Sequence, residues 1–179
     1  MKDLSMHIMD ILQNSTRAGA SEVTLEVLED AAADTLTIRF IDNGCGMDAE
    51  TVQKVINPFF TTRTTRKVGL GLPLLKQNTE QTGGSLDIQS EKGKGTTVTA
   101  VFGRTHLDRP PMGDLAGTVV LTASAYPDIR FIFHYRNDET DYVFDTDEVK
   151  EALDGISIQE PEVIQYLKEM IQENIGAVN

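Results

Sequence analysis

The sequence predicts an α+β fold, a two-layer α/β sandwich in which helices back one face of a mixed sheet. Segments that alternate apolar and polar residues, as half-buried strands do, lie between segments whose apolar residues recur every three to four positions, as in helices. The glycine- and lysine-rich turn at 91–95 separates two of the alternating segments, which indicates a β-hairpin. At 179 residues the chain has room for one full domain and a small appendage.

The N-terminal part of the chain begins with a helix and continues through two strands, two further helices and the hairpin. The strands are predicted from their alternation and the helices from one apolar face. Gly83 and Gly84 end the last of these helices, since glycine just past a periodic segment is a stop signal. After the first helix, the predicted strands are 22–28, 36–41, 85–90 and 96–102, and the predicted helices are 49–56 and 72–82.

A boundary follows the hairpin, where residues 109–113 contain two prolines and a glycine. It divides the chain into residues 1–104, a linker at 105–113 and a C-terminal extension at 114–179. Together with the linker the extension has 75 residues and could bury a modest core, and it is either a structural cap that completes the main core or a docking surface for a basic partner. Its predicted helices are 114–125, 147–153 and 161–174, and its predicted hairpin joins strands 129–135 and 142–145.

Charge and composition exclude several classes of protein. The net charge is −12, and residues 105–179 carry 5 basic against 15 acidic groups, so we expect no nucleic-acid partner. Acidic residues interrupt the first apolar residues and no apolar stretch is long enough to cross a bilayer, so we expect neither a signal peptide nor a membrane span and predict a cytoplasmic location. Cys45 is the single cysteine, which excludes an internal disulfide.

A glycine-rich turn follows the second strand and predicts a site for a flat ring. Asp42 closes the strand and can accept a hydrogen bond from an exocyclic amine. Gly44 and Gly46 let the backbone approach the ring without side-chain obstruction. With Ala49 the two glycines also fit a dinucleotide-binding fingerprint, but residues 51–79 contain no acidic residue to bind a ribose.

The first helix carries polar residues at helical spacing. Asp10 and Asn14 stand four positions apart, so their oxygens share one face, where an amide oxygen and waters could hold Mg²⁺ between phosphates. The alternative is that Asp10, Asn14 and Arg17 form a solvated face opposite apolar residues and Ser15. His7 lies on the same face, either in contact with a nucleotide or in a capping or surface role.

The segment between the second and third helices is suited to anions. Hydroxyl-rich residues at 61–68 form a candidate phosphate-covering lid, and the glycines at 69 and 71 then open a helix whose first turn contains Pro73. Exposed backbone N–H groups and the positive end of the helix attract phosphate. The basic residues of the acid-free stretch are Lys54, Arg63, Arg66, Lys67 and Lys76.

Together these segments resemble the GHKL superfamily of ATP-binding domains, which includes gyrase-type ATPases, heat-shock chaperones, histidine kinases and mismatch-repair ATPases. The resemblance covers about residues 1–103, and the motif sequences are most similar to those of the histidine-kinase branch and the anti-sigma-factor serine kinases. It implies a Bergerat-type fold with ATP and Mg²⁺ as ligands. The matching segments, in the family's order, are an N box at 10–14, a G1 box at 42–47, an F box at 58–62, a G2 box at 69–72 and a closing segment at 93–97.

The resemblance also implies roles for individual residues. Asn14 would coordinate Mg²⁺, Arg17 would reach a phosphate, and Asp42 would read the adenine amino group. Asp10 stands where the family most often has glutamate, one methylene longer, and would act on the attacking group as the catalytic residue. The other implied nucleotide-binding residues are Gly44, Gly46 and Met47 below adenine, Phe60, Thr61, Arg63 and Lys67 in the lid, Gly69, Leu70, Gly71 and Leu72 around the phosphates, and Thr96 beside adenine.

Three functions remain open at this stage. The N box starts without a preceding helical hairpin, and neither His106 nor His134 lies in such a hairpin, so we interpret the protein as a stand-alone Mg-ATP-binding protein. We expect a regulatory protein kinase that acts in trans on a separate partner or phospho-acceptor. The alternatives are a slow ATPase switch that signals by lid closure and a partner-binding module, similar to an anti-sigma factor, that nucleotide regulates.

Overall fold

The computed structural model describes residues 3–57, 59 and 71–178, and these form six helices and six strands. Among them, no helix combines the length and the apolar composition needed to cross a bilayer. The elements, in chain order, are α1 (Leu4–Arg17), β1 (Glu22–Asp30), β2 (Thr35–Asp42), α2 (Ala49–Val55), α3 (Gly71–Gln81), β3 (Ser85–Glu91), β4 (Gly95–Gly103), α4 (Leu115–Ala125), β5 (Arg130–Arg136), β6 (Asp141–Asp145), α5 (Thr146–Leu153) and α6 (Pro161–Ile175).

The six strands form one mixed sheet in the order β3-β4-β2-β1-β5-β6. Neighbouring strands are antiparallel except β1 and β5, which run parallel with Val23 opposite Phe131. The predicted α+β sandwich with a mixed sheet is therefore confirmed. Both predicted hairpins are present, and β1 continues to Asp30, past its predicted end, because Asp30 still pairs with Thr35 across the turn to β2.

The two faces of the sheet differ in polarity. Alternate residues of the central strands, such as Leu25 and Phe40, are buried on the face that the helices cover. The opposite face carries cross-strand polar pairs: Arg39 Nη1 donates to Glu26 Oε1 at 3.0 Å, and the His134 ring lies 2.6 Å from Asp141. One layer of helices therefore lies on one side of the sheet and leaves the other side polar.

The helix α1 begins at Asp3, whose carboxylate caps it by accepting from the N–H of Met6 at 2.9 Å. One face of α1 is fully buried and includes Leu4 and Ile8. Each such side chain contributes about 1.5–3 kcal/mol when it leaves water. The polar face of α1, with Asp10 and Asn14, is thereby held in one orientation, and this positions the site.

Residues of the C-terminal extension build part of the same core. The strand β5 lies directly beside β1, and α4 packs between α1 and α6. The backbone N–H groups of Leu4 and Ser5 donate to the carbonyls of Pro111 and Met112, both at 2.9 Å, so the segment before α4 satisfies the start of α1. The division of the chain into a domain at 1–104, a linker at 105–113 and an extension at 114–179 stays a prediction. The sheet and core that these parts share are features of the structure.

Candidate functional site

Two side-chain oxygens on α1 are buried and unpaired within the described part of the chain. Asp10 Oδ2 and Asn14 Oδ1 are shielded from solvent, and neither has a hydrogen-bond partner among the residues that the structure describes. Buried polar atoms in folded proteins are nearly always paired, so two such oxygens one helical turn apart indicate a ligand. Carboxylate and amide oxygens are the ligands that Mg²⁺ takes, and the pair therefore fits a magnesium ion held beside phosphates.

The carboxylate of Asp10 touches the first residue of α3. A Cβ added to Gly71 would lie 1.8 Å from Asp10 Oδ2, so any larger residue at the start of α3 would displace the Asp10 carboxylate. Burial raises the pKa of Asp10, and the nearby positive charge of Arg17 partly opposes that rise. The structure thus brings the N-box carboxylate to Gly71, where the helix α3 begins within the G2 box, 61 residues away in sequence.

The carboxylate of Asp42 is held by two donors. Ser15 Oγ donates to Asp42 Oδ2 at 2.7 Å, and the N–H of Gly44 donates to Asp42 Oδ1 at 2.9 Å. These bonds fix the plane of the carboxylate and leave lone pairs to accept from a ligand amine. Sequence reasoning placed Ser15 on the buried side of the helix and missed this role, although a serine among apolar residues beside Asn14 was a signal.

The turn after Asp42 lies between the end of α1 and the β3–β4 hairpin and is in close contact with both. On one side, the N–H of Cys45 donates to the carbonyl of Ala18 at 2.9 Å, and a Cβ on Gly44 would lie 2.8 Å from the Cβ of Ala18. On the other side, Gly46 has φ +67°, and its Cβ would lie 2.0 Å from the carbonyl oxygen of Glu91. Both glycines are therefore required by close backbone contacts in the folded chain.

Thr96 lies directly opposite Asp42 in the β2–β4 register. Its hydroxyl is 2.8 Å from Ser90 Oγ, which also accepts from the N–H of Met47 at 2.8 Å. The structure thus brings together the residues assigned to the adenine end, Asp42, Met47 and Thr96. It adds Ser90, which sequence reasoning did not include.

His7 is buried between α1 and α3. It is 1% exposed, and its Nε2 lies 2.7 Å from the side-chain nitrogen of Asn78. The expected capping or surface role is therefore wrong, because α3 covers this face and Asp3 caps the helix. Burial lowers the pKa of His7 to about 4. An amide nitrogen only donates, so Nε2 of the neutral ring accepts from Asn78, and Nδ1 has no partner among the described residues.

The structure describes only some of the remaining predicted site residues. Arg17 is exposed at the end of α1, and Leu72 is buried in the first turn of α3. Of the predicted basic stretch, Lys54 pairs with Glu50 at 3.0 Å and Lys76 with Glu80 at 2.8 Å, as ordinary surface pairs along their helices. Outside the described residues lie the whole lid at 61–68 and the predicted site residues Phe60, Thr61, Arg63, Lys67, Gly69 and Leu70.

A cavity of about 390 Å³ lies away from this site. It is bounded by the start of α4 and the end of α6, and Lys168 and Asp114 pair at its edge at 3.2 Å. No predicted nucleotide-binding residue that the structure describes lines it.

Comparison with known proteins identifies relatives of the N-terminal part. The family model of histidine kinase-, DNA gyrase B-, and HSP90-like ATPases matches residues 2–106. A putative sensor protein of Shewanella frigidimarina is 34% identical over 103 residues, 56% of this chain and 16% of its own length. Sensor protein kinase FleS of Pseudomonas aeruginosa is 37% identical over 95 residues, which are 53% of this chain and 23% of FleS. The chain thus spans about a fifth of the length of these curated relatives.

Solved structures share the fold. The Aquifex aeolicus MutL ATPase domain complexed with ADP superposes with a TM-score of 0.55 at 16% identity, and the match covers 86% of this chain and 70% of that one. The N-terminal domain of a DNA repair protein superposes with a TM-score of 0.51 at 14% identity, and the match covers 81% of this chain and 52% of that one.

Proposed function

Because this chain belongs to the family of histidine kinase-, DNA gyrase B-, and HSP90-like ATPases, we propose that it is a regulatory protein kinase that uses Mg-ATP to modify a separate protein partner. Its family-matched part is an ATP-binding domain related to the catalytic domains of histidine kinases. The proposal places the protein in the cytoplasm and its acceptor on another chain. The acidic surface of residues 105–179 is consistent with a protein partner rather than a nucleic acid.

The observation that carries the proposal is the pair of buried oxygens on α1, Asp10 Oδ2 and Asn14 Oδ1, for which residues 3–57, 59 and 71–178 supply no hydrogen-bond partner. Leaving such groups unsatisfied costs about 1–3 kcal/mol each in an apoprotein. A folded chain that retains both on one face of α1, with Asp10 beside the start of α3, is organised for a ligand that pairs with them. Mg-ATP supplies a cation that the amide oxygen of Asn14 would bind. It also supplies the γ-phosphate, and the Asp10 carboxylate would accept the proton of the group that attacks it.

Each residue has a distinct task in this mechanism. Asp42, oriented by Ser15 and Gly44, accepts a hydrogen bond from the adenine amino group. Asn14 would hold Mg²⁺, which when bound neutralises charge on the phosphates. Asp10, whose pKa burial raises, accepts the proton of the attacking hydroxyl or imidazole as that group bonds to the γ-phosphorus and ADP leaves. Arg17 and the backbone N–H groups at the start of α3 face the negative charge of the triphosphate.

A slow ATPase switch is the second candidate, and it is supported by the same buried carboxylate. An acid of raised pKa suits proton abstraction from water as well as from a protein side chain. Aspartate is one methylene shorter than glutamate, so we expect it to reach a water poorly and hydrolysis to be slow. The third candidate is a partner-binding module that nucleotide regulates, and in that function Asp10 has no chemical role.

Incubation with γ-labelled ATP and a native cell extract separates these functions. Label on a second protein, lost in Asp10→Asn, supports the kinase. Free phosphate without a labelled protein identifies the ATPase, and nucleotide-dependent capture without turnover identifies the binding module. Asn14→Ala should also lose the label, and Gln13→Ala is its matched control, because both changes remove an amide from the same helix. Failure of the wild-type chain to bind Mg-ATP would refute the proposal.

A further inference from the structure

We infer that Ser90 is a positioning residue that sets the preference for adenine over a 6-oxopurine, by fixing the hydroxyl proton of Thr96. The inference rests on the proposed ATP-binding function and adds a residue that selects the base. Ser90 is the last but one residue of β3 and lies opposite Thr96 of β4. Thr96 in turn lies opposite Asp42 of β2, so the three side chains occupy neighbouring strands on the helix-covered face.

The hydroxyl of Ser90 has three partners, which use all of its hydrogen-bonding capacity. The N–H of Met47 donates to Ser90 Oγ at 2.8 Å, the carbonyl oxygen of Gly95 lies at 3.0 Å, and Thr96 Oγ1 lies at 2.8 Å. A serine hydroxyl donates once and accepts twice. A carbonyl only accepts, so the single Ser90 proton goes to Gly95.

The proton of Thr96 is then determined by elimination. Because Ser90 gives its proton to Gly95, the contact between the two hydroxyls requires Thr96 to donate to Ser90. The Thr96 oxygen is left as an acceptor only. Beside it, the carboxylate of Asp42 is also an acceptor only, so this end of the site presents acceptors to the edge of the base.

An acceptor-lined edge selects for donors. At the 6-position, the amino group of adenine donates to it directly or through water, whereas the carbonyl oxygen of hypoxanthine or guanine meets lone pairs. The selection therefore acts at the 6-position, since N1 accepts in adenine and carries a proton in the two 6-oxopurines. If the Thr96 hydroxyl were free to rotate, it could turn its proton toward that carbonyl and tolerate it. Ser90 therefore acts on selectivity through Thr96, without contact with the base.

The surrounding backbone holds Ser90 in place. The N–H of Gly93 donates to the carbonyl of Cys45 at 2.6 Å, which ties the tip of the hairpin to the turn after Asp42. Gly95 has φ +122°, and a Cβ there would lie 2.0 Å from the carbonyl oxygen of Asp42. Because the hairpin and the turn interlock at these points, loss of the Ser90 hydroxyl removes hydrogen bonds and leaves this frame intact.

The test compares the affinities for Mg-ATP and Mg-ITP, which differ at the 6-position of the base, by calorimetry on the full chain. We expect Ser90→Ala to lower the ratio of ATP to ITP affinity by about tenfold, the value of one hydrogen bond at the upper end of its usual range. Ser90→Thr keeps the hydroxyl and should keep the ratio. Ser85→Ala removes an exposed serine from the other end of β3 and is the control.

A double-mutant cycle tests the route through Thr96. Thr96→Val removes the acceptor, so Ser90→Ala should lower the ratio no further in that background. A Ser90→Ala variant that loses ATP and ITP affinity by the same factor, or loses neither, would overturn the inference and leave the proposed function standing. A wild-type protein that binds neither nucleotide would overturn both.

Discussion

Burial of His7 makes the free energy of unfolding depend on pH between about 4 and 6.5. In the folded chain, burial between α1 and α3 lowers the pKa of His7 from 6.5 to about 4, although the charge of Asp3 acts in the opposite direction. In the unfolded chain the ring is solvated and takes up its proton near 6.5. Between these values the unfolded state binds more protons, so stability is complete above pH 6.5 and falls as the pH approaches 4.

The size of the effect follows from the shift in the pKa of His7. Each pKa unit corresponds to about 1.4 kcal/mol, so the full shift is worth about 3 kcal/mol at the acidic end of the window. A typical domain is stable by about 5–15 kcal/mol, so the loss is a large part of the total. The hydrogen bond from Asn78 to Nε2 adds to the preference for the neutral ring, because an imidazolium nitrogen no longer accepts.

The assay is urea unfolding at several pH values from 4.5 to 7.5 for the wild type and His7→Gln. We expect the wild type to lose stability toward low pH more steeply than His7→Gln, whose amide does not titrate and whose oxygen can accept from Asn78. The raised pKa of Asp10 has the opposite sign, because the folded state there holds the extra proton, and comparison of the two proteins cancels it. His106→Gln, in an exposed loop, is the control. Equal pH slopes for the wild type and His7→Gln would refute the reasoning.

Three further predictions concern the nucleotide site. Asp42→Asn should weaken ATP binding by about 1.5–3 kcal/mol, because a charge-assisted hydrogen bond is lost, and equal affinities by calorimetry would remove the adenine assignment. Asn14→Ala should abolish the dependence of ATP affinity on Mg²⁺, which a magnesium titration measures; an unchanged dependence would place the metal elsewhere. Gly71→Ala should reduce turnover, because the new Cβ would displace the Asp10 carboxylate, and a phosphate-release assay measures this; turnover equal to that of the wild type would contradict a role for this contact.

Local patterns were sufficient to predict the elements and to suggest candidate site residues. Strand alternation, the helix periodicity of α1 and the hairpin turn depend on neighbouring residues, so the sequence alone indicated them and their order. Asp10, Asn14 and Asp42 could be proposed as site residues because spacing on a helix and position at the end of a strand are local properties. The roles assigned to Phe60, Arg63 and Lys67 stay predictions, since those residues lie outside the described part of the chain.

The sequence by itself determined which faces of the elements are apolar and which residues could bind a nucleotide, because these depend on short spacings. Only the tertiary structure decided what covers each face. It placed β5 beside β1, buried His7 against Asn78, and paired Ser15 with Asp42 and Ser90 with Thr96. The physical reason is that a side chain's burial and hydrogen bonds depend on both partners. When the partners stand on separate elements, no local pattern contains the second one.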